Sequence, residues 1–132
     1  MILPNGATVA VADGETLSLF KNGGHERGLS LRALETPELT AGNAGSSHRS
    51  SEANPDDRTQ AEDGYAAASA AWLNKQVLEG RIGPLLVIAA PRTLGELRKH
   101  YHKQLEAVLV GELAKDLVGR PVAEIEAAVA NA

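Results

Sequence analysis

Hydrophobic and polar residues alternate, run together or disappear in separate stretches of this chain, and each pattern predicts a different element. Leu85 to Ala90 (LLVIAA) carry no charge and no polar side chain, the pattern of a strand buried on both faces of a sheet. Pro91 stops the run. Thr93 then begins T-x-x-E with Glu96, a sequence that predicts a capping box at the start of a helix. Leu94, Leu97, Tyr101 and Leu105 recur at spacings of three and four, so this helix has one apolar face to lay on the strand. A buried strand running into an amphipathic helix is half of a parallel crossover unit, and it sets the class as α/β or mixed α+β.

Upstream, Ala7 to Ala12 (ATVAVA) reads as a strand that ends at the turn pair Asp13-Gly14. Thr16 to Lys21 alternates with Leu17 and Leu19 on one face and stops at Asn22-Gly23-Gly24. Leu29 to Leu34 alternates again, with Leu29, Leu31 and Ala33 facing one way. These three strands predict an antiparallel meander. Residues 36–64 are different: apart from Leu39 they hold no large apolar side chain, and Gly, Ser, Asn, Pro and Asp dominate. A long flexible polar loop is expected there. Tyr65 to Glu79 predicts a helix with Ala66, Ala70, Leu73 and Val77 on its inner face, Tyr65 and Trp72 flanking it and Gly80 ending it. Ala107 to Leu113 reads as a fifth strand, with continuation of the preceding helix as its rival. Pro121 suits the first position of a last helix whose inner face is Val122, Ile125 and Val129.

With right-handed crossovers, these elements predict a five-stranded mixed sheet of order 3-2-1-4-5 with about three helices, the order of the ribonuclease H-like architecture. Strands one, three, four and five then point the same way. Asp13-Gly14, the long loop, Pro91-Arg92-Thr93 and Lys115-Asp116 emerge along one edge, and the break between strands one and four is where open α/β sheets hold ligands.

Composition narrows the function. The 132 residues fit a single domain, 1–132. A net charge of -4 argues against a general nucleic-acid binder, and the lack of cysteine excludes disulfides, thiolate metal sites and a thiol nucleophile. No apolar run is long enough to cross a membrane and no secretory pattern opens the chain, so a cytoplasmic protein without membrane insertion is expected.

Within residues 92–103, Arg92, Arg98, Lys99 and Lys103 set four positive charges against Glu96, with His100 and His102 between them. The plain reading is a solvated helix face. Arg92 and Thr93, however, lie at a predicted helix start, where amides and the macrodipole favour phosphate or another anion. His48, Arg49 and Arg58 are cations of the polar loop that can meet the same ligand. Asp13 is the one acid predicted beside the β-strand break; strand four supplies none, which argues against two-metal nuclease chemistry. His100 and His102 are two apart and diverge on a helix, HEXXH is absent, and no G-x-S-x-G elbow appears. No cofactor, metal site or catalytic residue is expected, and a non-enzymatic binding role is favoured over a phosphate-dependent enzyme.

The stretch from residue 90 to 129, with AAPRTLGELRK, ELAKDL and PVAEIE, resembles the bacterial host attachment proteins (proteins required for attachment to host cells), and the opening LPNGATVAVADGETLSLFKN resembles them too. That family is in turn similar to the middle domain of archaeal and eukaryotic peptide-chain release factors and of Pelota. The resemblance implies a ribonuclease H-like sheet and a role in attachment to host cells. Its alternative implication is association with the ribosome or tRNA. In release factors the loop after strand three carries a Gly-Gly-Gln tripeptide; residues 36–64 take that place here, and their one glutamine, Gln60, follows Thr59. On the translation reading, Asp13, His48, Arg49, Arg58, Arg92, Thr93, Lys99, His102 and Lys103 surround the RNA or ligand, the cations meeting RNA backbone by charge rather than by base readout. An unidentified protein partner is the other expectation.

Overall fold

The computed structural model describes residues 2–23, 29–39 and 55–132. Its elements run β1 (Thr8–Ala12), β2 (Leu17–Asn22), β3 (Leu31–Ala33), α1 (Pro55–Leu78), β4 (Leu85–Ala89), α2 (Pro91–Arg98), α3 (Lys103–Val108), β5 (Leu109–Ala114) and α4 (Val122–Ala130). The strands form one mixed sheet of order β3-β2-β1-β4-β5. β1 pairs antiparallel with β2 and parallel with β4, Ala10 lying between Leu19 and Val87; β3 is antiparallel to β2 and β5 parallel to β4. The predicted order and strand directions hold.

β1 and β4 occupy the centre because every residue of both is buried, so neither has a polar face to show water. Their side chains feed two cores. Ala10, Ala12, Leu17, Leu19, Leu85, Val87 and Ala89 pack beneath α1, α2 and α3 with Ala66, Ala70, Leu73, Leu94, Leu97 and Leu105. On the other face Val9, Val11, Phe20, Leu31, Leu86 and Ile88 pack with Ile125 and Val129 of α4. Leu29 joins this second core, as its alternation with Leu31 predicts, whereas Ala33 faces solvent and Leu34 crosses to the first core.

The helices depart from expectation at their ends. α1 starts at Pro55, ten residues before the predicted start at Tyr65. Residues 55–64 lack an apolar stripe, so no helical period shows in them. The remainder of the expected loop, from 40 to 54, lies outside the described residues. At its other end α1 closes as predicted: Gly80 takes φ +77°, its amide donates to the Val77 carbonyl and that of Arg81 to Gln76.

The capping box of Thr93 and Glu96 does not form. α2 begins three residues before the start that box predicts, at Pro91, whose fixed φ suits a first helical position, and its N-cap Ala90 has no side-chain cap. Glu96 instead binds Lys99 and His100. The predicted continuous stripe also breaks after Arg98, and the chain restarts as α3 with His102 as N-cap, its Nδ1 accepting from the Gln104 amide. Both rival readings of residues 107–113 are partly realised, helix to Val108 and strand from Leu109 to Ala114. Pro121 is the N-cap of α4 rather than its first residue.

Gly95 lies inside α2, and a methyl added there meets nothing within 4 Å. Gly95→Ala is therefore expected to stabilise the protein by about 0.5–1 kcal/mol, by removing backbone freedom from the unfolded chain. Thermal unfolding checks this; a lower midpoint would mean that the helix needs the glycine.

α4 reaches back under the sheet to its opposite edge, where the Glu126 carboxylate accepts a 2.8 Å hydrogen bond from the Leu31 amide of β3. That contact occupies a backbone donor on a short edge strand.

Candidate binding edge

β1, β3, β4 and β5 all end on one side of the sheet, as their pairing directions require. Ala12 of β1 pairs with Ala89 of β4, so Asp13-Gly14 and Ala90-Pro91-Arg92 leave the sheet side by side. Asp13 builds the hairpin turn. Its Oδ1 accepts from the amides of Glu15 and Thr16, both at 2.7 Å, and its own amide donates to the Thr16 carbonyl. The carboxylate is thus half occupied by its own backbone.

Over this turn comes the first part of α1. A Cβ on Gly14 would stand 2.6 Å from Cγ and 2.7 Å from Cβ of Glu62, so Gly14 is required by close approach of the helix. One residue on, Asp63 reaches Arg92, with Nη2 at 3.0 Å from Oδ1 and 3.3 Å from Oδ2. Arg58 stands 3.8 Å from Glu62 one turn earlier. Tyr65 follows, buried at the top of the first core. Burial raises its phenol above the ordinary value, opposed by a hydrogen bond with the Leu17 backbone and assisted by the negative charge of Asp13. Acidic side chains of α1 therefore straddle the break between β1 and β4, on Gly14 at one side and on Arg92 at the other.

The predicted basic cluster is divided by the fold. Arg92 is at this edge, and Thr93 is half-buried in the first turn of α2 beside it. α2 and α3 then lead back to the start of β5, whose first residue Leu109 pairs with Leu85, the first of β4. Lys99, His100, His102 and Lys103 thus belong to the opposite edge. They are held there by the end of α1: Asn74 donates to the His100 carbonyl at 2.8 Å and accepts from the His102 amide at 2.9 Å. The hydrogen bond from Lys99, and then that from His100, hold the Glu96 carboxyl below its ordinary value, against some burial. His48 and Arg49 lie outside the described residues.

Sequence reasoning missed a further group. Arg98 donates from Nε and Nη2 to one oxygen of Glu112 on β5, at 2.9 and 2.6 Å. The Tyr101 hydroxyl lies buried beside the same carboxylate without a hydrogen bond of good geometry, and burial first, then the charge of Glu112, pushes it up. This group ties α2 to the edge strand. The signal was the lone acid in the otherwise apolar strand sequence LVGELA. Among the described residues no three His, Asp or Glu side chains gather where a metal could sit, and no helix is long and apolar enough to cross a membrane.

The model of one protein family, described as bacterial archaeo-eukaryotic release factor family 12, matches residues 6–129. The chain belongs to this family. No curated protein matches it. Membership agrees with the further similarity to release factors that the resemblance of the opening strands and residues 90–129 to the host attachment proteins implies. In this family 12 chain the connection from β3 to α1 leaves and returns at the edge of Arg92, since Ala33 ends β3 there and the first turns of α1 lie over Gly14. Gln60 is an exposed residue of α1, preceded by Thr59.

Proposed function

We propose that this family 12 chain is a non-catalytic binding protein that docks on the translation machinery through the edge where β1, β3, β4 and β5 end. The family match over residues 6–129 carries the reading. The geometry supports it by gathering Arg58, Arg92 and both ends of the β3–α1 connection at that edge. A guanidinium at Arg92, more than half exposed, has the charge and fork geometry for an RNA phosphate. A binding role is favoured over peptide release because Gln60 lies along a helix, where it lacks the freedom of a glycine-flanked tip. Attachment to host cells, implied by the resemblance to the host attachment proteins, is in this reading a downstream effect of that binding in the cytoplasm.

Co-sedimentation of the purified protein with ribosomes at low and high salt tests it. Wild type is expected to pellet at low salt and to be released as salt rises, because phosphate contacts displace counterions. R92A should weaken pelleting about tenfold, the scale of one charge-assisted hydrogen-bond pair. K99A/K103A, at the opposite edge, should leave it near wild type. Failure of the wild-type protein to pellet at low salt would refute the translation reading. A loss confined to K99A/K103A would move the interface to the other end of the sheet.

A further inference from the structure

We propose that the first turns of α1 form a strap across the break between β1 and β4 whose Asp63 occupies the donors of the exposed Arg92 guanidinium, so that a partner's phosphate must displace Asp63 to take them. The inference rests on the proposed docking edge and adds its regulation. Three observations place the strap. Glu62 packs against Gly14 so closely that a methyl there would overlap its Cβ and Cγ. Asp63 brings both carboxylate oxygens to the Arg92 guanidinium, at 3.0 and 3.3 Å. The helix that carries them extends ten residues past the apolar stripe holding its remainder to the sheet, and no described residue from Arg58 to Gly64 is fully buried.

The strap is consequently fixed by a polar contact and one close approach rather than by a core. Its ion pair is exposed, Arg92 by 56% and Asp63 by 33% of side-chain area. Exposed pairs contribute little and exchange readily for a better acceptor. A phosphate offers more negative charge than a carboxylate and accepts from the same fork, so it competes for the arginine directly. Asp63 thereby acts as an internal substitute for the ligand, and its carboxylate also repels an arriving polyanion until the helix shifts.

Two variants release the strap by different physics. D63N removes the charge but leaves the helix seated. G14A keeps every charge and pushes Glu62 away, because the clash involves Cβ rather than the free end of a long side chain. E79Q removes one exposed negative charge from the turn just past the far end of α1, beside Arg81, and controls for a general change in net charge.

Ribosome co-sedimentation, with far-ultraviolet circular dichroism to verify folding, is the experiment. D63N and G14A are each expected to bind about two- to fivefold more tightly than wild type, the range available from freeing one exposed ion pair, with E79Q unchanged. The gain should vanish when either variant also carries R92A. If wild type pellets and R92A weakens it, yet D63N and G14A match wild type or bind less, the strap is refuted and the docking edge stands. If E79Q gains as much as D63N and G14A gains nothing, the effect is net charge and the strap is equally refuted. If wild type does not pellet, the docking edge falls, and the strap with it.

Discussion

Asn22→Asp is expected to destabilise the fold by about 3–5 kcal/mol, the scale of leaving a buried charge uncompensated, and so to remove a large part of a stability of order 5–15 kcal/mol. Asn22 ends β2 and is 1% exposed. Its Nδ2 donates to the carbonyls of Leu3 and Pro4 at 3.1 and 3.2 Å, and its Oδ1 accepts from the Ser30 amide at 3.1 Å. One amide side chain therefore joins the N-terminal segment to β2 and to the entry of β3. An ionised carboxylate retains the acceptor but replaces the donor by oxygen facing two carbonyl oxygens at a buried position. Burial favours the neutral form of the introduced acid, raising its folded pKa above the unfolded value near 3.9, so that ionisation at higher pH carries the penalty. The sign follows: the penalty relative to N22A is small below the unfolded pKa and grows as pH rises towards the folded one. Urea unfolding of N22D and N22A at pH 5 and pH 7 measures it. N22D should fall further below N22A at pH 7 than at pH 5. Equal midpoints at both values would mean that the site admits water and that the carboxylate is solvated.

Asn22 also shows where a sequence is hard to read. In the run Asn22-Gly23-Gly24 it reads as a turn residue, because asparagine before glycine is a turn signal. Its burial depends on Leu3, Pro4 and Ser30, which no local window contains. The same limit hides the start of α1. Hydrophobic period finds helices that bury a stripe on a sheet, and it finds Ala66, Ala70 and Leu73. Residues 58–64 bury no stripe; their part of the helix is held by Gly14 and Arg92, elsewhere in the chain. A start signal was present in Pro55 followed by Asp56 and Asp57, since proline suits the first turn and acids complement the helix dipole. The capping box failed for the complementary reason: Thr93-x-x-Glu96 is a sound local motif, but Pro91 begins the helix first and leaves Thr93 inside it.

The sheet was legible because its determinants are local and redundant. A strand without polar residues and a second whose one polar side chain is Thr8 belong at the centre, two turn-separated alternating strands must flank the second, and a right-handed crossover fixes where the fifth goes. The candidate edge was legible to the same depth. Strand direction brought Asp13-Gly14 and Arg92 together from sequence alone. It could not separate Arg92 from Lys99 and Lys103, which are close in sequence but joined by a helix running back across the sheet. Nor could it reveal Asp63, because an ion pair across 29 positions leaves no periodic trace.

Leu97→Ala is expected to cost about 2–5 kcal/mol, the range for truncating a fully buried leucine. Leu97 is completely buried and belongs to the core shared by α1, α2, α3 and the sheet. Its neighbours cannot collapse freely into the void. β4 behind it is fixed on both sides by β1 and β5, and α2, the helix that carries it, is fixed to β5 by the two bonds from Arg98 to Glu112. The cavity term therefore adds to the lost transfer energy. Leu97→Met keeps the volume and should cost less than about 1.5 kcal/mol. Leu78→Ala, on a side chain 55% exposed, should stay within about 0.5 kcal/mol of wild type. Denaturant midpoints order the three. If Leu97→Ala costs no more than Leu78→Ala, α2 is not seated on the sheet and Arg92 is not held at its edge. If the cost is large but hydrogen exchange in α2 rises while β1 and β4 stay protected, the α1–α2 layer opens as a unit, and the pair of Asp63 and Arg92 opens with it.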